Sequence, residues 1–247
     1  MKWLFSFWCL LAAIPLHAED ITVAAASDLN FAIKEVIQQF ERESGHKVRL
    51  SLGSSGNFSA QIMNGAPFHV FLSADANYPK QLEKAGRALP GTTFIYGVGG
   101  IALWVPKNSK INVEKLGMNA LLDSSIRKIA IANSEHAPYG RAAVAAMQKA
   151  NVYDLVKNKL VLGENISQAS QFVQSGAADI GIIAMSIAMS EPMQRTGVYW
   201  QIPRESYPPL EQGAVLLKRG GPGAKAFHEW LKGTAARKIF EKYGFGK

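Results

Sequence analysis

Cysteine is nearly absent from this sequence. Cys9 is the only one among 247 residues, and it lies in an apolar run near the N-terminus. We expect that run to be removed as a signal peptide, which leaves a mature chain without any thiol. Disulfide bonds, thiol catalysis and cysteine-ligated metal sites are therefore excluded for the mature chain.

Long hydrophobic runs are also missing. The apolar residues 3–14 follow the charged start Met1-Lys2 and precede Ala18, an order typical of a secretory signal peptide that is cleaved after Ala18. This run is too short to span a bilayer comfortably, and no later run is long enough either. We predict a signal peptide over residues 1–18 and a soluble, exported mature protein.

Basic residues form no runs. The chain has 27 Lys and Arg against 19 Asp and Glu, a net charge of +8, but these side chains are scattered singly without interleaved aromatic residues. We therefore expect an ordinary solvated surface and no nucleic-acid partner. The histidines beyond the predicted signal peptide are equally dispersed, so we expect no metal site. They are His46, His69, His136 and His228.

The sequence does contain a regular alternation of strand and helix patterns. Apolar residues make up 48% of the chain and charged residues 19%, which is ordinary for a folded globular protein. Runs of strand type are followed by helical spacing, as in α/β chains with mostly parallel sheets. Two extended segments, 92–105 and 207–218, interrupt this order, and we interpret them as crossings between two lobes.

Four strand-to-helix junctions carry small hydroxyl groups or bare amides. Strand patterns end just before Ser27, before Ser55, before Tyr139 and before Ile166. Ligands of open α/β sheets bind beyond the carboxyl ends of the strands, and helix N-termini attract anions. We therefore expect the four junctions to face one another across a cleft.

Each of these residues has a simpler interpretation when it is taken alone. Ser27 stands before helical spacing that begins at Leu29, so it is predicted to be the N-cap of that helix and need do nothing more. Tyr139 could be a half-buried tyrosine whose hydroxyl stays in water. The recurrence of the junction is what favours a shared binding site.

Several short motifs together resemble the periplasmic molybdate-binding proteins of ABC importers, which are type II periplasmic binding proteins. The resemblance extends over nearly the whole mature chain, and its motifs are specific only in combination. They are Ala24-Ala25-Ala26-Ser27, Gly53-Ser54-Ser55 with Ala60-Gln61-Ile62, Gly65-Ala66-Pro67, Phe71-Leu72-Ser73-Ala74-Asp75, Glu135-His136-Ala137-Pro138 and Lys242-Tyr243-Gly244-Phe245.

The resemblance implies an α/β fold of two lobes. Each lobe would be a mostly parallel sheet flanked by helices, and two crossing strands would join the lobes. We expect residues 19–102 and 206–247 to form lobe I and residues 103–205 to form lobe II. In such a fold the lobes close over a tetrahedral oxyanion.

The resemblance also implies that Ser27, Ser55, Tyr139 and Ile166 bind the oxyanion. Ser27 and Ser55 would donate hydroxyl and amide hydrogens, and Ile166 would donate its backbone N–H. Some relatives carry a tyrosine at the place of Ala184, and we expect Tyr139 to supply that hydroxyl here.

The charge of the ligand bears on Asp28, which adjoins the predicted site. Molybdate and tungstate are fully deprotonated dianions at neutral pH, so donors alone suit them, whereas phosphate keeps a proton and needs an acceptor. A carboxylate inside the shell would repel a dianion. We therefore expect the Asp28 carboxylate to face the helix or solvent.

The function implied by the resemblance is that of a periplasmic receptor. It would bind molybdate or tungstate, carry no cofactor, act as a monomer and deliver its ligand to the membrane permease of an ABC importer. The sequence does not rank molybdate against tungstate. One alternative is another oxyanion, such as sulfate or phosphate. A serine hydrolase with Ser27 or Ser55 as nucleophile is a remote alternative, because the chain has no Gly-X-Ser-X-Gly elbow and no evident paired base.

Overall fold

Strands and helices alternate along residues 18–246, the part of the chain that the computed structural model describes; the predicted signal peptide over residues 1–18, with Cys9, lies outside it except for Ala18. The strands are β1 (Asp20–Ala26), β2 (Lys47–Gly53), β3 (Val70–Ser73), β4 (Phe94–Gly99), β5 (Ile101–Pro106), β6 (Ile129–Ala132), β7 (Leu160–Gly163), β8 (Ile180–Ala184), β9 (Gly197–Gln201) and β10 (Leu210–Leu216). The helices are α1 (Ala32–Ser44), α2 (Ser55–Met63), α3 (Asn77–Lys84), α4 (Val113–Leu116), α5 (Pro138–Lys149), α6 (Tyr153–Val156), α7 (Ile166–Gln174), α8 (Met185–Ala188), α9 (Glu191–Thr196), α10 (Pro222–Trp230) and α11 (Thr234–Lys242).

The first sheet has the strand order β2-β1-β3-β10-β4. Its strands β1, β2 and β3 pair in parallel, and β10 runs antiparallel to both β3 and β4. Alternate residues of β3 point to opposite faces. Val70 and Leu72 pack under α1, α10 and α11 with the aromatic rings of Phe40 and Phe227, whereas Phe71 packs under α2 and α3.

The second sheet repeats this plan with the order β7-β6-β8-β5-β9. Strands β6, β7 and β8 are parallel, and β5 is antiparallel to its neighbours β8 and β9. Helices α5 and α7 pack on these strands around a core that includes the fully buried Trp104. The predicted α/β class with two mostly parallel sheets is confirmed.

The chain changes sheet twice. The extended segment predicted over residues 92–105 divides at Gly100, with β4 in the first sheet and β5 in the second. The return runs from β9 to β10. The two crossings touch, because the Ile101 N–H donates to the Tyr207 hydroxyl at 3.2 Å. No helix within residues 18–246 is both long enough and apolar enough to cross a membrane.

Two local predictions differ from the structure. Ser27 is not the N-cap of an α-helix: it opens a 3-10 turn, Ser27–Leu29, without a side-chain cap, and α1 begins only at Ala32. The sequence also predicts a helix over residues 113–122, but its α-helical part ends at Leu116, because Gly117 adopts a positive φ of 53°. A 3-10 turn continues from there to Leu122.

Candidate functional site

The four predicted junctions meet at one cavity between the two sheets. Ser27 and Ser55 follow β1 and β2 of the first sheet, and Tyr139 and Ile166 lie beyond β6 and β7 of the second. All four residues line the cavity, and each is at most 3% exposed. The other lining residues are Ala26, Asp28, Gly53, Ser54, Ala74, Ala137, Pro138 and Asn165.

The cavity is narrow. Its volume is about 10 Å³, which is close to the least space that admits one water molecule. Polar groups from the two sheets bond directly to one another across the cavity, so a larger group enters only where it replaces some of these hydrogen bonds.

Ser27 bonds to the start of α7. Its hydroxyl donates to Asn165 Oδ1 at 3.0 Å and accepts from the Ser167 N–H at 3.3 Å. The Ser167 hydroxyl in turn donates to the Ser27 carbonyl at 2.8 Å. Asn165 is the N-cap of α7, since its Oδ1 also accepts from the Gln168 N–H at 3.1 Å.

Ser55 is the first residue of α2. Its Oγ accepts from the Ala74 N–H at 2.9 Å, so its own proton is free for another acceptor. Its N–H belongs to the first turn and has no partner within the helix. The next N–H, that of Gly56, donates across the cleft to the His136 carbonyl at 3.0 Å. The start of α2 thus turns donors and positive dipole toward the cavity.

Ile166 occupies the same place on α7 that Ser55 has on α2. It is the first helical residue after the Asn165 cap, and its N–H has no partner within the helix. Ala184 is buried at the end of β8 and is not among the residues that line the cavity.

Tyr139 lies in the first turn of α5, directly after Pro138, which occupies the first helical position that proline favours. Its hydroxyl accepts from Gln212 Nε2 at 3.3 Å and donates to Asp28 Oδ2 at 2.8 Å. The proton of that hydroxyl is therefore engaged by a carboxyl group.

The expectation that the Asp28 carboxylate faces the helix or solvent is wrong. Asp28 is 1% exposed and lines the cavity, because the 3-10 turn carries its side chain inward to Tyr139. Its Oδ1 is buried and has no hydrogen-bond partner. A buried carboxyl group thus belongs to a residue of the cavity wall, where only donors were expected.

Burial sets the protonation of this group. Burial raises the pKa of Asp28 from 3.8 to about 7, although the Tyr139 hydrogen bond and the nearby backbone N–H groups of Asp28 and Leu29 act in the opposite direction. Burial and then the Asp28 charge raise the pKa of Tyr139 well above its ordinary value. Tyr139 stays protonated at neutral pH, whereas Asp28 changes charge near neutrality.

Further contacts surround the cavity and join elements of the two sheets. Arg141 on α5 pairs with Asp75 at 2.7 Å, and the Asn57 amide on α2 bonds to Glu164. Ser54 Oγ donates to the His136 carbonyl at 2.6 Å. These contacts hold the two sides of the cleft together.

Ser54 and His136 also bear on the hydrolase alternative, because Ser54 Oγ lies 3.0 Å from His136 Nδ1. The shorter contact of Ser54 Oγ is with the His136 backbone carbonyl at 2.6 Å, so the hydroxyl is bonded there and not to the imidazole. Neither Ser27 nor Ser55 has a histidine partner within residues 18–246. Over the same residues, no three His, Cys, Asp or Glu side chains cluster as a metal site would require.

Sequence reasoning missed Asp28, Asn165 and Ser54 as parts of the cavity wall. Asn165 could have been identified from its local sequence, since asparagine before a helical pattern is a favoured N-cap. Ser54 adjoins Ser55 in the Gly-Ser-Ser-Gly segment, and the local pattern does not show that both serines line the cavity. Asp28 has no such signal, because its burial depends on Tyr139, which is distant in sequence.

Comparison with known proteins agrees with this geometry. The molybdate-binding protein ModA of Azotobacter vinelandii is 38% identical over 96% of this chain and 93% of its own length. ModA of Rhodobacter capsulatus is 39% identical over 94% of this chain and 90% of its own. The solved structure of the Azotobacter vinelandii periplasmic molybdate-binding protein superposes with a TM-score of 0.85 at 33% identity, covering 92% of this chain and 99% of that one.

A family model describes the same stretch of sequence. It is that of the bacterial extracellular solute-binding proteins, and it matches residues 21–246. This range takes in both sheets and every residue of the cavity wall. The chain belongs to the family of bacterial extracellular solute-binding proteins.

Proposed function

We propose that this protein is the receptor of an ABC importer and binds molybdate in the cavity between its two sheets. The observation that carries this proposal is the convergence of four strand-to-helix junctions on one buried cavity. The resemblance to proteins named for molybdate binding supports the choice of ligand. The receptor passes its ligand to the membrane permease and catalyses no reaction.

The donors that we propose for the oxyanion come from both sides of the cleft. Ser55 supplies its hydroxyl proton, and Ser27 supplies its own when the anion replaces Asn165 Oδ1 as the acceptor. Ser55 and Ile166 also supply first-turn N–H groups. The Tyr139 hydroxyl is held by Asp28, so we assign to Tyr139 its first-turn N–H rather than its hydroxyl. Neutral donors at helix N-termini stabilise an anion without long flexible cations and with little reorganisation.

Size and charge together select the anion. Molybdate and tungstate carry two charges and no proton at neutral pH, which suits a wall of donors. Sulfate has the same charge but is smaller, so it leaves donors unpaired at a cost of about 1–3 kcal/mol each. We accordingly place tungstate with molybdate among the ligands and sulfate outside them.

The place of action follows from the predicted signal peptide. We propose that residues 1–18 are removed on export and that the protein works in the periplasm as a monomer. The basic surface has no concentrated patch in the sequence, and we assign it no nucleic-acid partner.

Thermal unfolding of residues 19–247 tests this proposal. The ligand-stripped protein is melted alone and with molybdate, tungstate, sulfate or phosphate. A ligand at a hundred times its Kd adds about 2.7 kcal/mol to the free energy of unfolding. We expect the melting temperature to rise with molybdate and tungstate alone. A rise with sulfate or phosphate alone would reassign the ligand, and no rise with any anion would refute oxyanion binding.

A further inference from the structure

Asp28 presents an atom that the proposed ligand shell does not use. Its Oδ1 is fully buried, has no hydrogen-bond partner and belongs to a residue that lines the cavity. A buried carboxyl oxygen without a partner is destabilising in either charge state. Among the side-chain atoms of residues 18–246 that are buried without a partner, it is the one on a residue of the cavity wall, so a group that enters the cavity is the candidate partner.

The hydrogen bonds behind Asp28 fix which oxygen carries a proton. Tyr96 Oη donates to Gln212 Oε1 at 3.0 Å, and Gln212 Nε2 donates to Tyr139 Oη at 3.3 Å. Tyr139 has one proton, and it goes to Asp28 Oδ2 at 2.8 Å. With Oδ2 as the acceptor of that bond, the proton of the neutral acid is on Oδ1.

The groups around Asp28 in the described part of the chain favour its neutral acid form, because none of them is a cation that would stabilise the carboxylate. Helices α7 and α8 face its turn with hydroxyl groups, those of Ser167 and Ser186, and have no charged residue of their own. Tyr139 on α5 and Tyr96 on β4 are the ionisable groups that interact with its carboxyl, and Arg141 on α5 is paired with Asp75 instead. No salt bridge within residues 18–246 involves Asp28, so nothing cationic compensates its charge.

We propose that Asp28 binds the oxyanion as a neutral carboxylic acid, whose Oδ1 proton is donated to an oxygen of the anion. This inference rests on the proposed function and adds that binding of the anion is coupled to uptake of a proton by Asp28. One dianion enters the cavity and, when Asp28 is ionised beforehand, one proton from solvent enters with it. The ionised form would repel the dianion, so only the neutral form binds.

The pH dependence follows from this linkage. The pKa of Asp28 is raised to about 7 by burial, and the bound dianion raises it further. Below that pH the acid is already neutral and the Kd for molybdate is constant. Above it the Kd rises about tenfold for each pH unit, because each anion bound takes up one proton.

Titration calorimetry with molybdate tests the proposal. It is performed from about pH 6 to about pH 9, and at about pH 8 in two buffers of different protonation enthalpy, since the difference in heat reports protons taken up. The native protein is expected to show the rising Kd and an uptake of about one proton. Asp28→Asn keeps a donor at the same place, so its Kd should be independent of pH and its proton uptake nil. Asp154→Asn, which removes an equal charge from an exposed site, should behave as the native protein does.

The outcomes separate the two proposals. Molybdate binding with a constant Kd and no proton uptake would overturn the role of Asp28 and leave the receptor function standing. Failure of molybdate to bind at any pH would overturn both. Binding of hydrogen phosphate that strengthens at high pH would make Asp28 an acceptor and also refute the proposal. If Asp28→Asn does not fold, the proton count of the native protein decides alone.

Discussion

The Ser55 hydroxyl accepts a hydrogen bond but donates none among residues 18–246. Its oxygen accepts from the Ala74 N–H, and within residues 18–246 its proton has no acceptor. A hydroxyl that is buried at a helix N-terminus and faces a cavity is well placed to donate to an anion there.

Replacement of Ser55 by alanine is expected to raise the Kd for molybdate about tenfold, because one charge-assisted donor is lost. Calorimetry on the folded variant measures this change. Ser59→Ala is the matched control, since Ser59 is buried on the same helix but does not line the cavity. An unchanged Kd in Ser55→Ala would remove Ser55 from the ligand shell.

Single residues also show where sequence reasoning stops. The sequence predicts that four residues share one cavity, because strand ends and helix starts are recognisable from local patterns. These residues are Ser27, Ser55, Tyr139 and Ile166. The fate of Asp28 could not, because charge repulsion argues for exposure while the Tyr139 hydroxyl and burial of the turn decide against it. The pKa that burial imposes is a property of the assembled site and not of the sequence near Asp28.

The start of α7 serves the fold and the cavity at once. Asn165 caps the helix through the Gln168 N–H and accepts from the Ser27 hydroxyl with the same Oδ1. Because Asp caps helices as well as Asn does, charge can be added here without loss of the cap.

Asn165→Asp is expected to leave the melting temperature of the ligand-free protein near the native value and to raise the Kd for molybdate at least about a hundredfold, because a carboxylate then faces a dianion. Asn112→Asp is the matched control: Asn112 caps α4 through the Lys115 N–H and lies away from the cavity. Its Kd should be unchanged. If Asn165→Asp bound molybdate normally, α7 would not face the anion.

Helices and strands were the most predictable level. Pro138 marks the start of α5, as proline commonly does at the first position of a helix. The helical spacing of apolar residues over 223–245 predicts an amphipathic pair of helices, which the structure has as α10 and α11. The position of β10 in the middle of the first sheet was not predictable, since that pairing joins residues far apart in the chain. The limits of the expected lobes, at 102/103 and 205/206, stay a prediction and lie near the two changes of sheet.

At the scale of the whole molecule, the two sides of the cleft touch at Gly56. A Cβ atom on Gly56 would lie 2.5 Å from the His136 carbonyl oxygen, which is closer than real Cβ contacts allow. Glycine here permits the helix α2 and the loop before α5 to approach as closely as they do. The same residue is otherwise an ordinary position in the first turn of a helix.

Gly56→Ala is therefore expected to weaken molybdate binding at least about tenfold, because the added Cβ pushes the start of α2 away from the His136 carbonyl. The effect on stability is expected to be smaller, because alanine favours a helix by up to about 1 kcal/mol over glycine and offsets part of the strain. Calorimetry and thermal melting measure the two effects. Gly223→Ala is the control, at the same position of α10, where a Cβ meets only side chains within the first sheet's half of the molecule. Equal loss of affinity in both variants would contradict this role for close approach.

The place of β10 has a consequence for biosynthesis. Strands β5 to β9 follow one another in the chain, so the second sheet is complete in composition once residue 201 has left the ribosome. The first sheet still lacks the strand that joins β3 to β4 and the two helices that cover it. A nascent chain at that stage exposes the edges of β3 and β4, which invite pairing with other chains. The last forty or so residues thus protect the first hundred from aggregation as well as completing their fold.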